Sequence, residues 1–206
     1  MANAWLVRPK PHDIPRLNEF KTQNIVAIGW PGIGDLSGKS REEIKDLLTK
    51  PPYEYDGLIL GNAYATIDIF VNQIEEGDLV LCPDGDDIYF GVITSGYFFN
   101  PDADKDGYPH QRSITWKADK GRKDLSKELR SALKVHRTTA NLSHHFDEID
   151  ALCNGHAVPT PDVVKTVPIR YTLRPDYVIK FDIPEDMTDD EAKRLSTFFT
   201  TMYFKG

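Results

Sequence analysis

The chain has 206 residues, of which 40% are hydrophobic, 28% charged and 11% aromatic, and this composition excludes a chain that is disordered throughout. Its formal net charge of −7 argues against a general nucleic-acid binder, because affinity for phosphate backbones is mostly cationic. It has no apolar run of about 18 residues and no signal-peptide layout, and its two cysteines are too few for a disulfide scaffold or a four-thiolate zinc site, so we expect a cytoplasmic protein.

The first 50 residues predict two strands and two helices. Apolar runs that stop at a proline indicate strands at residues 4–8 and 24–30. Apolar residues at a spacing of three indicate a short helix around residues 14–20. Ser40 and Glu43 form a capping box, which begins a helix that ends near residue 48.

Residues 61–99 predict one long helix followed by two strands. The helix covers residues 61–76, because its apolar side chains fall on one face at helical spacing. Strands follow at residues 79–82 and 88–99, and the second bends at Gly91 or Gly96.

The rest of the chain predicts shorter elements and a separate tail. The elements are a polar loop at residues 100–110, a strand at 114–117, a helix at 124–133, an extended segment at 135–142 and a helix at 145–152. A strand at residues 177–183 and a second capping box, Thr188 with Glu191, then predict a strand–helix tail. We therefore divide the chain into a domain at 1–153, a Pro-rich linker at 154–176 and a tail for docking or dimerisation at 177–206.

The element order indicates an α+β fold. Short strands that follow one another closely, with helices around them, favour an antiparallel barrel or a strongly curved sheet over repeated β–α–β units.

Basic residues concentrate between residues 105 and 137. This segment holds ten Lys and Arg against four acids, so its charge is +6 and the remainder of the chain carries −13. Such asymmetry permits a local nucleic-acid-binding face on an acidic body. The alternative is an ordinary solvated surface.

Three patterns resemble metal sites but lack essential ligands. Residues 102–106 begin like a calcium loop, yet position twelve is Ser113 in place of a bidentate carboxylate. A metal-dependent nuclease would use acids and a lysine such as those at residues 189–193, but here they lie at a helix start, where acids favour the positive helix end. The adjacent histidines at 144–145 point apart on a helix and make a poor metal pair. We expect no metal and no cofactor.

The sequence carries no motif of phosphate cradling or nucleophilic catalysis. We therefore expect a binding module rather than an enzyme. A metal-dependent hydrolase that uses the Asp and His residues of loop 100–112 is the enzymatic alternative.

Aromatic residues at strand ends, loops and a helix start could form a cage for a flat ligand. They are Trp5, Trp30, Tyr64, Tyr89, Tyr97, Tyr108 and Trp116. Asn62 and Asp35 could bind the polar edge of that ligand. The alternative is that these rings belong to the core.

Five segments, taken in order, resemble the N-terminal domain of Mrr-type restriction endonucleases of prokaryotic defence systems. They lie at residues 5–8 (WLVR), 26–30 (VAIGW), 34–37 (GDLS), 70–81 and 110–116 (HxRxIxW). That domain is similar to members of the PUA superfamily such as EVE and YTH domains. The resemblance spans most of the chain, but the nuclease domain that follows in Mrr-type proteins is not recognisable here.

The resemblance implies a PUA-like mixed β pseudo-barrel surrounded by helices, with a pocket for a modified or flipped base. Together with the aromatic pattern, it predicts base-pocket residues Gly29, Trp30, Pro31, Asn62, Tyr64, Tyr97 and Trp116. The nucleic-acid backbone is expected at His110, Arg112, Lys117, Lys120, Arg122 and Lys123.

The functional expectation is a non-enzymatic reader of a modified or flipped base in DNA, the sensor module of a restriction or antiphage defence system. RNA, an effector or fused nuclease, and a second copy bound through the C-terminal helix are further partner candidates. The alternative is a protein–protein interaction subunit of such a system, with no base binding.

Overall fold

The computed structural model describes residues 2–156 and 165–201. The chain divides into two compact units, residues 1–159 and residues 160–206. Across the described residues, none of the helices combines the length and the apolar character needed to cross a membrane.

The first unit is built on a seven-stranded sheet. Its strands are β1 (Ala4–Val7), β2 (Ile25–Ile28), β3 (Leu79–Asp84), β4 (Asp87–Ile93), β5 (Phe98–Phe99), β6 (His110–Gly121) and β7 (Thr139–Asn141). The strand order is β2-β6-β4-β3-β1-β7, with β5 paired to β6, and only the β1–β3 pair is parallel.

Strand β6 explains the shape of the sheet. Its first residues pair with β2 and β5, whereas residues from Ile114 onward pair with β4. The register shifts at Gly91, where an added Cβ would lie 2.6 Å from Ile114 Cδ1 and 2.9 Å from the Thr115 carbonyl oxygen. This bulge adds local twist. The first unit is thus a mixed α+β fold with a curled, half-barrel sheet.

Five helices surround the sheet. They are α1 (Leu17–Gln23), α2 (Arg41–Leu48), α3 (Gly57–Asp68), α4 (Lys127–Ala132) and α5 (Phe146–Asn154). The Ser40–Glu43 capping box is confirmed, since both of its reciprocal hydrogen bonds form at the start of α2. The predicted helix at 61–76 instead begins at Gly57 and changes after Asp68 into a π-helical turn, Ile69–Gln73.

Both faces of the sheet are buried, as β1 illustrates. Trp5 and Val7 pack into a core cluster with residues of α2 and α3, whereas Ala4 and Leu6 pack into a second cluster with residues of α4 and α5. A strand covered on both faces has a continuous apolar sequence, which is why β1 was predictable.

Two strand predictions needed correction. The predicted strand at 88–99 is two strands, since β4 ends at Ile93 and β5 holds only Phe98–Phe99. The predicted strand at 114–117 is β6, which begins four residues earlier. The start of β6 was not predicted because residues 110–112 are polar. They are buried by partners that lie far away in the sequence.

The second unit is a hairpin and a helix: β8 (Thr166–Arg174), β9 (Tyr177–Pro184) and α6 (Asp189–Thr201). β8 lies inside the interval 154–176, so the linker prediction was wrong there. Val167 pairs with Ile183 and Ile169 with Phe181, and this apolar alternation outweighs Pro168 on an edge strand. Residues 157–164 of the predicted linker and 202–206 of the predicted tail lie outside the described residues.

The second capping box is confirmed. The Thr188 backbone N–H donates to Glu191 Oε2 at 2.8 Å, and the Glu191 N–H donates to Thr188 Oγ1 at 3.3 Å. Helix α6 follows it as predicted, and Phe199 on this helix lies 6.4 Å from the Phe181 ring of β9.

Candidate functional site

A cavity of about 410 Å³ lies between the loop after β2, helix α3 and the segment before β7. Its lining residues are Trp30, Tyr55, Ile59, Asn62, Ala63, Thr66, His136, Arg137 and Thr138. The volume is within the range of small-molecule sites. Among these lining residues none is acidic, and the charged side chain is Arg137.

Trp30 is held in an unusual backbone conformation at this cavity. Its φ of 64° is in the left-handed region, which costs a non-glycine residue about 1–3 kcal/mol and persists only where the surroundings enforce it. Two contacts do so: His110 Nε2 lies 3.2 Å from the Trp30 carbonyl oxygen, and the Tyr53 hydroxyl donates to the next carbonyl, that of Pro31, at 2.7 Å. The loop is therefore fixed before any ligand binds.

His110 is fully buried beside this loop. The Trp30 carbonyl oxygen can only accept, so His110 Nε2 carries the proton and donates to it. In the neutral ring Nδ1 is then an acceptor, and the Tyr97 hydroxyl, which also accepts from the Leu36 N–H at 3.2 Å, donates to it at 2.8 Å. Burial lowers the pKa of His110 to about 4, so the ring is neutral at pH 7. The prediction that His110 contacts a nucleic-acid backbone was wrong; it positions Trp30 instead.

Arg112 is also a structural residue. It is 2% exposed, and its guanidinium donates to the carbonyl oxygens of Phe70 at 2.7 Å, Val71 at 2.9 Å and Ser95 at 3.3 Å. Two of these carbonyls belong to the π-helical turn, whose last carbonyls lack helical partners. Burial lowers the pKa of Arg112 to about 10, which leaves it protonated at pH 7. The prediction of a phosphate contact was therefore wrong.

The structure brings Trp30 and Asn62 together, as predicted for the base pocket, but not the other aromatic residues. Tyr97 packs on His110 with ring centroids 6.0 Å apart, and the Tyr64 hydroxyl donates to Asp68 at 3.0 Å. Trp116 packs against the core, where its indole N–H has no hydrogen-bond partner among the described residues. These three residues do not line the cavity.

Two further members of the predicted cage, Trp5 and Tyr108, are core residues, with 3% and 4% of their surface exposed. The predicted Gly29 and Pro31 flank Trp30 in sequence without lining the cavity. Lys117, Lys120 and Lys123 lie outside it as well, and Arg122 lines a neighbouring groove.

Seven residues that line the cavity were not predicted from the sequence: Tyr55, Ile59, Ala63, Thr66, His136, Arg137 and Thr138. Ile59 carried a usable signal, because residues 58–60 are all apolar and one face of a helix cannot bury three consecutive side chains. Ile59 is 60% exposed as a result. Arg137 carried none, since it was one of ten cations in its segment.

One of the acids of the calcium-like pattern at residues 102–106 has a structural role. Asp104 Oδ1 accepts a hydrogen bond from the Gly32 N–H at 2.9 Å, so it holds the same loop as His110 and Tyr53. Within residues 2–156 and 165–201, no three His, Cys, Asp or Glu side chains are grouped to hold a metal ion.

The cavity thus combines an indole, a side-chain amide and a guanidinium around one space. An indole face binds flat rings by stacking, and the Asn62 amide offers both donors and an acceptor. A guanidinium binds planar anionic or carbonyl groups. This arrangement suits a flat heterocycle with a polar edge.

Comparison with known proteins assigns a family to the chain. Residues 5–142 match a family whose description is "Domain of unknown function (DUF8426)". No curated protein and no solved structure matches the chain. The matched interval contains every residue that lines the cavity.

Proposed function

We propose, for this member of the DUF8426 family, whose function is unknown, a role as a non-enzymatic nucleic-acid reader. It binds a base that is flipped out of duplex DNA in the cavity at Trp30. The observation that carries this proposal is the meeting of Trp30, Asn62 and Arg137 in one cavity of about 410 Å³.

The energetics of base flipping are compatible with this cavity. Extruding a base costs a few kcal/mol, and stacking on an aromatic side chain returns about 1–3 kcal/mol per base. Hydrogen bonds from Asn62 to the base edge supply the remainder and the selectivity. Because the loop at Trp30 is already fixed, little ordering entropy opposes binding.

The fold supports the same proposal. We regard the curled half-barrel with surrounding helices as a PUA-like, EVE- or YTH-like domain whose mouth is the Trp30 cavity. The resemblance to Mrr-type enzymes then suggests a sensor in a restriction or antiphage defence system, with the nuclease supplied by another chain or domain.

The test measures, by fluorescence anisotropy, binding to matched duplexes whose central cytosine is unmodified, methylated, hydroxymethylated or glucosylated. We expect at least tenfold preference for one of them in the wild-type protein, and loss of that preference in Asn62→Ala. Asn18→Ala removes an exposed amide of α1, outside the cavity, and is the matched control. Equal affinity of the wild-type protein for all four duplexes would contradict the proposal.

A second candidate function, self-association, is favoured by the second unit. No residue of its described part is buried, and Tyr171, Leu173 and Phe198 are 57–59% exposed. Domains of about 60 residues or fewer bury only marginally enough apolar surface alone, and the second unit, residues 160–206, is smaller than that. A second copy of the hairpin and helix would cover these side chains.

Sedimentation velocity at 5 and 100 µM, concentrations chosen on the order of typical dimer affinities, tests this candidate. We expect a dimer at the higher concentration and a monomer for Phe198→Ser. A wild-type monomer at both concentrations would contradict it.

A further inference from the structure

Five lysine and arginine side chains converge on a groove beside the Trp30 cavity. The groove has a volume of about 700 Å³ and is lined by Arg8, Lys10, Asp13, Arg122, Leu133, Lys134, His136, Arg137 and Thr138. Asp13 is its one acidic lining residue among those described. The protein as a whole is acidic, with a net charge of −7, so this concentration of cations is local.

Within residues 2–156, none of the groove cations forms an ion pair. In residues 2–156, the ion pairs within 4.0 Å are Arg16–Glu19 and Lys50–Asp46, and neither includes a groove residue. Burial and the neighbouring Arg122 both lower the pKa of Arg8. Like charges therefore face one another across this groove, which favours an anionic ligand.

Arg8 also builds one wall of the groove. Its guanidinium donates to the carbonyl oxygens of Leu133 at 2.9 Å, Val135 at 2.8 Å and Arg137 at 3.1 Å, and its backbone N–H donates to the Thr138 carbonyl at 2.8 Å. These bonds fix residues 133–138 against the end of β1. The side chains of this segment are therefore presented from a constrained backbone rather than from a free loop.

The groove adjoins the cavity. His136, Arg137 and Thr138 line both of them. A ligand whose ring occupies the cavity can therefore extend past Arg137 into the groove. The ligand groups that enter the groove must be anionic, because the groove is lined by lysine and arginine side chains, which donate to anions.

We propose that the groove binds the phosphodiester backbone on one side of the base held at Trp30, so that the ligand is a polynucleotide and not a free nucleoside. This inference rests on the proposed function and adds the path of the nucleic acid. It also replaces the predicted backbone contacts at His110 and Arg112, which are buried, with Lys10, Lys134 and Arg137.

The experiment measures binding of a fluorescein-labelled 15-nucleotide single-stranded DNA, and of a fully abasic strand of the same length, which keeps the phosphates but has no bases, at four salt concentrations. The groove variant is Lys10→Glu/Lys134→Glu, because both side chains are exposed and line the groove. The matched control is Lys123→Glu/Lys127→Glu. It makes the same change in net charge at two exposed lysines outside the groove.

We expect the groove variant to bind at least tenfold more weakly than the control at the lowest salt concentration. Single strands lose affinity with a slope of about −0.7 in log K against log salt for each phosphate contact. The slope of the groove variant should therefore be shallower by about 1.4, and that of the control unchanged. Both variants should keep the melting temperature of the wild-type protein.

Equal weakening by the two double variants would overturn the inference, because it would assign binding to overall charge. Failure of the proposed function would have a different signature: the intact and abasic DNA would bind equally, whatever the groove variant did. A groove variant that matches the control while intact DNA is still preferred would reject the groove and keep the cavity.

Discussion

His110 Nε2 lies 3.2 Å from the carbonyl oxygen of Trp30, although the two residues are 80 positions apart. The histidine belongs to β6, which pairs with β2, β4 and β5, and the tryptophan lines the cavity. This hydrogen bond ties the Trp30 backbone to the sheet. It thereby positions the indole ring that we propose stacks on a base.

The neutral state of His110 makes stability depend on pH. Its pKa is lowered from an ordinary value of 6.5 to about 4 in the folded protein. As the pH is lowered from 6.5 to 4, the unfolded chain therefore takes up a proton that the folded chain does not. The free energy of unfolding decreases as the pH is lowered over that interval. The full difference corresponds to roughly 3 kcal/mol.

We expect urea unfolding of the wild-type protein to show this loss between pH 7 and pH 4.5. His110→Gln keeps a neutral donor and acceptor but cannot titrate, so its stability should change less over the same interval, by about 2 kcal/mol. Parallel pH profiles for the two proteins would show that His110 is not responsible.

Arg112 should contribute strongly to stability. Its removal leaves the carbonyl oxygens of Phe70, Val71 and Ser95 buried without their charged donor. We expect Arg112→Ala to lower the free energy of unfolding by about 3–5 kcal/mol, measured by urea denaturation. Lys117→Ala, an exposed cation on the same strand, should change it by less than about 0.5 kcal/mol. If both variants were equally stable, Arg112 would be free to serve a ligand.

His110 and Arg112 also show where reasoning from sequence failed. A basic, aromatic-flanked segment is typical of a nucleic-acid contact, and its residue types alone do not reveal burial. Arg112 is buried by carbonyls 41 and 42 positions away, and such non-local partners leave no local pattern. The Ser40–Glu43 box, by contrast, acts within one helical turn and was predictable.

The cavity was predictable only in part, for a related reason. Trp30 follows a local signal, a strand end, whereas Asn62 was placed at a helix start and lies inside α3. Arg137 and Tyr55 reach the same space only because the sheet curls, and the curl depends on how β6 divides its pairing between β2 and β4. Register of this kind is a property of the assembled sheet.

Substitution of Gly91 tests how β6 divides its pairing between β2 and β4. An added Cβ would lie 2.6 Å from Ile114 Cδ1 and 2.9 Å from the Thr115 carbonyl oxygen, so the bulge could not keep its geometry. We expect Gly91→Ala to destabilise the protein by about 1–3 kcal/mol in thermal or urea unfolding. Gly96→Ala is the control, because Gly96 is exposed and has no atom within 4 Å of the added Cβ. Equal stability would mean that the sheet tolerates an altered bulge.

Trp30 allows the roles of ring and backbone to be separated. Its φ of 64° is strained for any residue with a Cβ, but not for glycine. Trp30→Gly and Trp30→Ala both remove the indole, and only the alanine keeps the strain. We therefore expect Trp30→Gly to be more stable than Trp30→Ala by about 1 kcal/mol in thermal unfolding.

Both Trp30 variants should lose the base preference in anisotropy measurements while they stay folded. The half-buried indole packs against the edge of a core cluster, so some loss of stability is expected in each. If both variants unfold, Trp30 is a core residue and the stacking role is wrong. If both fold and still distinguish the modified from the unmodified base, the selectivity resides in Asn62 and the cavity wall rather than in the ring.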